Sequence, residues 1–282
     1  MNRSVVLGGV ILAAVVLLAA LAPVLATSDP ARIDPTARNR HPGTERTVRG
    51  DDGRTRPVVH WMGTDSLGRD VYSRVVYGAR VSLVVGATVA LVSAAAGLVI
   101  GLLAGYLRWL DAPVMRVMDG LMAIPAILLA IGLVSISRAG LRTVIVAIVI
   151  PEVPRVTRLV RAVVLSLREE PYVEAAVALG ARTPALLRRH ILPNALAPLI
   201  VQATFVCASA ILVEAILSFL GVGIPPETPT WGNIMAEGRA LFRVFPHNIL
   251  FPGIFLAVTV LAVNMLGDGL RDTLDPRVRR RL

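Results

Sequence analysis

Residues 79–106 read ARVSLVVGATVALVSAAAGLVIGLLAGY, and after Arg80 the stretch carries no ionisable acid or base that is charged at neutral pH. A helix rises about 1.5 Å per residue, so roughly 20 apolar residues cross the ~30 Å of hydrocarbon in a bilayer. In water this stretch would have no polar face to expose; in lipid it makes one complete crossing. Gly97, Gly101 and Gly105 recur every four residues within it. They form a stripe without side chains, which lets a second helix approach closely. Packing inside one subunit is the expected use of that stripe, ahead of a dimerisation face.

Five more apolar blocks lie outward from this one: Val5 to Ala26, and residues 117–137, 141–163, 195–220 and 248–271. The expected fold is therefore an all-α membrane protein of about six transmembrane helices. The first block ends in Val24-Leu25-Ala26, which resembles a signal-peptidase site. Its length exceeds the usual 7–15 residue signal core, and only Arg3 precedes it, so it is expected to remain as a span. Pro151 and Pro154 predict a kink in the fourth span. Apolar residues make up 55% of the chain, and the mean hydropathy is +0.69, in keeping with a membrane-embedded class.

All 29 basic residues are arginine. A phosphate-binding P-loop needs a lysine to reach the nucleotide phosphates, so this chain cannot supply one. If ATP drives the protein, another polypeptide binds the ATP, and no cofactor is expected on the chain itself. The net charge of +10 is carried mainly between the apolar blocks. Solvated loops and contacts with the lipid bilayer account for it without nucleic acid. Cys207 stands alone inside an apolar block and forms no internal disulfide.

Residues 27–79 form the largest polar segment, expected to be an extracytoplasmic loop too small for its own core. Asp29-Pro30, Asp34-Pro35, Pro42-Gly43 and Asp52-Gly53 mark turns along the stretch from Asp29 to Gly53, which reads as loop. With that loop included, the positive-inside rule returns a near tie; without it the rule puts both termini in the cytoplasm. Arg277, Arg279, Arg280 and Arg281 make residues 272–282 a basic cytoplasmic tail. The core is then residues 80–271, with five spans and a cytoplasmic loop at 164–194.

That loop is the most informative part of the chain. From Arg155 to Pro193 there are seven arginines and three glutamates, so the stretch belongs in water on the cytoplasmic side. Ser166 to Leu179 is expected to be a helix ended by Gly180, and Thr183 to His190 a second short helix. Ala175 and Ala176 offer a surface of little bulk, suited to docking against another protein.

Glu174-Ala175-Ala176, then Gly180, then Leu192-Pro193 resembles the coupling loop of ABC importer permeases: E-A-A, three residues, Gly, nine residues, an apolar position, any residue, Leu-Pro. His190 stands at the apolar position, a departure similar to the peptide-importer branch. Gly63-Thr64-Asp65-Ser66-Leu67-Gly68-Arg69-Asp70 and Gly78-Ala79-Arg80-Val81-Ser82-Leu83 look like the second permease subunit of dipeptide, oligopeptide and nickel importers. So do Leu217 to Gly223 with Pro229 to Asn233, and Leu266 to Asp272 with Leu274-Asp275-Pro276. The resemblance covers residues 60–282 but not 27–59. A second departure is Pro151-Glu152-Val153-Pro154-Arg155, where the family usually has an aromatic residue before the proline; it bears on the kink or the substrate passage.

The resemblance implies a type I ABC importer permease in a bacterial cytoplasmic (inner) membrane. Its implied partners are a homologous second permease, two ABC ATPase subunits and an extracytoplasmic peptide-binding protein. Glu174, Ala175, Ala176, Gly180, His190, Leu192 and Pro193 would couple the permease to the ATPases. The implied substrate is a di- or oligopeptide, with a nickel chelate as runner-up.

Other residues are weighed beside that reading. Glu214 lies inside the fifth apolar block, where an ionisable group is costly unless it faces a partner or a wet cavity. It is expected either to line the translocation path or to hydrogen-bond a neighbouring helix. Gly63, Thr64, Asp65, Gly68, Arg69 and Asp70 are expected to form a fixed corner or to touch the partner permease. Asp268, Arg271 and Asp272 read as a helix-end salt bridge or cap. Trp231 starts a short amphipathic segment expected at headgroup level. His41, His60, His190 and His247 lack ligand spacing, so no metal site is expected. No G-x-S-x-G or H-E-x-x-H arrangement occurs, and no catalytic residue is assigned. The rivals are an ion-gradient secondary transporter, for which Glu214 alone is thin support, and a membrane enzyme.

Overall fold

The computed structural model describes residues 3–49, 55–137 and 140–274. Along these the order is α1 (Arg3–Ala20), α2 (Ala22–Leu25), β1 (Thr44–Arg49), β2 (Thr55–His60), α3 (Val71–Tyr106), α4 (Arg108–Met122), α5 (Ala126–Ile136), α6 (Leu141–Arg168), α7 (Pro171–Ala178), α8 (Thr183–Leu186), α9 (Leu192–Phe219), α10 (Trp231–Gly238) and α11 (His247–Leu274). The expected basic tail beyond Leu274, the Asp52-Gly53 turn and the Asp275-Pro276 motif lie outside the described residues.

The glycine stripe of α3 sets the geometry of the core. A Cβ added to Gly97 would sit 2.5 Å from Val156, one on Gly101 2.7 Å from Val160, and one on Gly105 2.7 Å from Val164. The stripe is therefore spent on α6 of the same chain, with the backbones in close approach. Both residue numbers rise together, so α3 and α6 run parallel. From Val156 back to Leu141 is about 22 Å along the helix. The connecting chain must therefore leave α3 at one face of the membrane and return to begin α6 near the other.

That return is made by α4 and α5, which bend by 85° at a short break. The expected third span, 117–137, is thus not one helix. Pro125 opens α5 in an extended conformation, with φ −52° and ψ 128°; it donates no amide hydrogen and disfavours helix in the residue before it. By length and apolarity α1, α3, the continuous helix from Thr183 to Phe219 and α11 can each cross a membrane, and the bent pair, counted as one span, adds a fifth. α6 carries Glu152, Arg155, Arg158 and Arg161, yet its register against α3 places it alongside as the sixth. Pro151 and Pro154 both lie inside this one continuous helix.

The other pairings alternate as sequential crossings must. Gly86 of α3 abuts Cys207 and Ile211 of α9, and Ser82 reaches Glu214, so these two helices are antiparallel. Gly8 of α1 lies against Ala262 and Leu266 of α11, while Gly269 lies against Val5. The ends of α1 and α11 therefore share one face with α7, α8 and the end of α3; we call it the proximal face. Residues 27–49, 55–70 and α10 occupy the distal face. Exposed Leu250, Ile254, Val258 and Leu261 form one stripe of α11, the pattern of a lipid-facing surface.

Three local expectations are corrected. Thr44–Arg49, inside the Asp29–Gly53 stretch expected as loop, is a strand that pairs antiparallel with Thr55–His60, Thr44 opposite His60 and Thr47 opposite Pro57. The helix expected from Ser166 to Leu179 is broken: α6 ends at Arg168 and Pro171 starts α7 in its first turn. Trp231, expected to open an amphipathic segment in contact with the headgroups, instead has its side chain fully buried within the chain, its Nε1–H donating to the Val75 carbonyl at 3.0 Å. Gly78 makes room for the indole, since a Cβ there would lie 3.2 Å from the ring.

Candidate functional site

On the proximal face, α7 ends in a left-handed turn. Gly180 has φ +79°, and its amide donates to the Val177 carbonyl at 2.9 Å while Ala181 donates to Ala176 at 3.0 Å. These are the paired bonds of a Schellman cap, and they give the glycine a backbone role. The chain then enters α8, with Pro184 in its first turn. The second expected helix, from Thr183 to His190, does not stop at His190: a π-type turn over Leu187–Ile191 carries it directly into α9. Pro193 cannot donate to the carbonyl four residues back, and Leu192 instead donates five back to Leu187. Leu192 and Pro193 thus form the joint between the loop and a membrane-crossing helix.

His190 has a mechanical setting in this structure. Its ring lies 6.2 Å from that of Tyr172 on α7. Asn194 donates to the His190 carbonyl at 2.7 Å and to the Tyr172 hydroxyl at 3.3 Å. α7 is thereby tied sideways to the start of α9. Its outer surface is left open: Glu174 and Ala175 are exposed, Ala176 is half-buried, and Val177 and Leu179 are 54% and 89% exposed. Of the α7 residues only Val173 is buried. Beside it, a cavity of about 400 Å³ is lined by Gly105, Arg108, Asp111, Arg168, Glu169 and Glu174 among others. Arg168 closes that end of α3 by donating to the Gly105 carbonyl at 3.0 Å and stacking over Tyr106.

The distal face holds the opposite arrangement, a buried charged corner. Arg69 pairs with Asp65 at 2.7 Å and with Glu237 of α10. Arg74 is fully buried, with Glu237 at 3.4 Å and Asp65 at 3.9 Å, and donates to the Pro30 and Pro226 carbonyls. Asp70 caps α3 by accepting from the Ser73 amide at 2.8 Å. It also accepts from the Ser73 and Thr27 hydroxyls and lies 2.8 Å from Nδ1 of His60. Burial pushes the Asp70 carboxyl up, but the bonds from His60, Ser73 and Thr27 outweigh it and hold it below the usual carboxylate range. Burial pushes the Glu237 carboxyl up against the pull of Arg74 and Arg69.

The expected corner residues are thus brought together, and their glycines have steric reasons. Gly63 and Gly68 have φ +77° and +78°. A Cβ on Gly63 would meet the Arg40 carbonyl and His247, and one on Gly68 would overlap the backbone of Asp34. Thr64 donates to the Ala37 carbonyl and accepts from the Arg40 amide. Reading along the sequence missed Arg74, Glu237 and His60, which complete the corner. Arg74 was visible as one turn from Asp70, but nothing local ties Glu237 to a position 168 residues earlier.

Glu214 is fully buried, accepting from Ser218 at 2.8 Å and Ser82 at 3.3 Å. Of the two roles expected for it, this geometry supports the hydrogen bond between helices. A second acid inside a span went unweighed: Glu152 of α6 is buried, accepting from Ser209 of α9 at 3.1 Å and pairing with Arg155 at 3.1 Å. Asp268 is exposed near the end of α11, and Asp272 and Arg271 lie in its last turn. Among the described residues, no three His, Cys, Asp or Glu side chains converge as a metal site.

This layout of crossings occurs in solved proteins. The structure matches the inward-facing MetNI methionine ABC transporter with a TM-score of 0.55 at 23% identity, over 72% of this chain and 96% of that one. An amino acid ABC transporter crystallised with histidines matches with a TM-score of 0.55 at 15% identity, over 75% and 95%. The fold class is therefore that of the membrane subunit of an ABC importer. The chain belongs to the family of binding-protein-dependent transport system inner membrane components, which it matches over residues 97–280. Residues 1–42 match the N-terminal transmembrane domain of oligopeptide transport permease C.

A probable peptide ABC transporter permease of Sinorhizobium fredii is 54% identical over 98% of this chain and 90% of that protein. The dipeptide transport system permease of Alkalihalophilus pseudofirmus is 42% identical over 99% and 87%. The glutathione transport system permease of Escherichia coli is 45% identical over 79% and 74%. This chain is accordingly an integral inner-membrane protein, and its family is one of transport permeases.

Proposed function

We propose that this chain is the second-type permease subunit of an ATP-driven importer for di- and oligopeptides. The carrying observation is α7: an exposed helix capped at Gly180 and braced through Tyr172, His190 and Asn194 to a helix that crosses the membrane. Peptide as the substrate class rests on the names of the full-length relatives.

In this reading the proximal face is cytoplasmic, with both termini and the coupling loop 164–194. Residues 27–79 lie outside the cytoplasm, 80–271 form the permease core, and 272–282 are a cytoplasmic tail. Glu174, Ala175 and Ala176 meet a cleft on an ABC ATPase. Gly180, His190, Leu192 and Pro193 pass its movement to α9 and its neighbours. ATP and Mg act on two ATPase subunits; a homologous second permease completes the path, and an extracytoplasmic binding protein delivers peptide. Import then alternates between two states, each favoured by a different ligand.

The test is purification of the tagged chain in mild detergent with its co-purifying subunits, followed by uptake in proteoliposomes. A second permease and P-loop ATPases are expected with wild type, and are expected to be lost with Glu174→Arg or Gly180→Pro in chains that still insert. Recovery of the chain alone, or uptake that persists without ATP on an ion gradient, would overturn the proposal. ATP-driven uptake of a nickel chelate but not of peptide would replace the substrate.

A further inference from the structure

Glu152 and Arg155 lie near the middle of α6, where charge is most costly. The helix has 28 residues, about 42 Å at 1.5 Å per residue, and Arg155 stands near its middle. Its side chain is 47% exposed, while its partner Glu152 is almost fully buried. One turn further, Arg158 pairs with Asp119 of α4 at 2.6 Å, and both are similarly open. A guanidinium at this depth is rarely turned to hydrocarbon; such groups face a wet cavity or a bundle interior. The opposite face of α6, at Val156, Val160 and Val164, is closed against α3. The exposed surfaces of α1 and α11 carry Leu7, Val10, Leu17, Leu250 and Leu261 and suit lipid. The lane formed by Glu152, Arg155, Arg158 and Asp119 does not, so it faces the aqueous path.

Within that lane Arg155 is the cation whose anchoring carboxylate lies on its own helix. Arg158 and Arg161 are matched by Asp119 and Asp111 across the gap to α4. Arg155 is held on its own helix by Glu152, three residues earlier, and both contacts use Nη1 (3.1 and 3.3 Å). Glu152 is fixed in turn by the Ser209 hydroxyl. The guanidinium is thereby anchored on one nitrogen, and its remaining edge points away from the anchor. A planar fork of this kind matches a carboxylate, which it binds through two parallel hydrogen bonds. We infer that Arg155, positioned by Glu152 and Ser209, binds the C-terminal carboxylate of the peptide midway through the membrane. The inference rests on the peptide-import reading above and adds a substrate contact to it.

The experiment compares wild type with Arg155→Gln in the reconstituted complex with its binding protein, using trialanine and trialaninamide. The binding protein's own preference is common to both permeases, so the change in the acid-to-amide uptake ratio reports on Arg155. Trialanine uptake is expected to fall about tenfold in the variant, with trialaninamide unchanged. An equal fall for both, or none for either, overturns the inference; an equal fall with lost assembly reassigns Arg155 to the partner permease. Should the binding protein admit no amide, trapping decides. Arg155→Cys in a Cys207→Ser background is expected to exchange with Ala-Ala-Cys activated as its thiopyridyl disulfide, releasing thiopyridone, only during ATP turnover. No adduct, or one independent of ATP, overturns the inference. Absence of ATP-driven peptide uptake by wild type would instead sink the function proposed above, so the two failures are told apart.

Discussion

The two faces of this protein use the same residue types in opposite ways. At the distal face, Asp65, Arg69, Arg74 and Glu237 are buried and interlocked, and Gly63 and Gly68 are hemmed in by backbone. At the proximal face, Arg182, Arg188 and Arg189 are exposed, Leu179 is almost bare, and Gly180 has nothing within 4 Å of where a Cβ would stand. A buried ion pair adds little net stability when formed but is costly to break, because the surviving partner is left charged and dry. A loop whose side chains meet water can change partners without that penalty. The distal corner is organised to hold one shape, whereas the proximal helix leaves its outer surface open.

The sharpest way to break the comparison is Arg74→Ala. It leaves Glu237 and Asp65 facing a void where a fully buried guanidinium stood. We expect a loss of about 3–5 kcal/mol, read as a marked fall in the thermal stability of the purified complex. A drop below about 1 kcal/mol would show that water reaches the corner.

Two glycines with nearly equal φ sharpen it further. Gly68→Ala combines a left-handed backbone with overlap on Asp34, whereas Gly180→Ala meets only the backbone strain. Strain alone costs about 1 kcal/mol, so the first variant is expected to lose about 3 kcal/mol and the second about 1. Equal losses in thermal unfolding would mean that residues 34–37 yield to the new methyl group. A surface variant completes the series: Leu179→Ser should change stability by less than about 0.5 kcal/mol and yet lower ATP-driven uptake severalfold. Unchanged uptake would remove Leu179 from the docking surface.

What could be read along the chain followed from how local each cause is. The crossings were visible because an apolar run is its own evidence, and the Gly97–Gly105 stripe announced a close helix contact, though not that α6 would fill it. The break in the third span was masked by apolar Ala123 and Ile124, with Pro125 the sole sign. The hairpin was hidden by arginine-rich strands, although Thr-Glu-Arg-Thr-Val-Arg and Thr-Arg-Pro-Val-Val-His flank an Asp-Gly pair, a recognised hairpin signal. Gly180 and Pro193 were singled out by spacing, but the backbone features they carry, a left-handed cap and a displaced helical bond, appear only with the structure. Glu152 and Arg155 were noted only as part of a departure around the prolines, because counting their block as apolar concealed two charges at its centre.

The smallest effect in the series is acid sensitivity at Asp70. Its folded carboxyl is held below the usual range by His60, Ser73 and Thr27, while an unfolded aspartate titrates near pH ~4. The unfolded chain therefore takes up a proton at a pH where the folded one still resists it, and stability falls as pH drops through and below that value. Above about pH 5 the contribution is complete, so no change is expected between pH 6 and 8 from this group. Asp70→Asn keeps an acceptor for the Ser73 amide but removes the titration. It should lower stability at neutral pH and flatten the acid limb of a melting-temperature profile taken from pH 7 to pH 4. An acid limb as steep in the variant as in wild type would assign that sensitivity to other carboxylates, with Glu237 excluded by sign. Its carboxyl is pushed up, so its protonation on acidification favours the folded state.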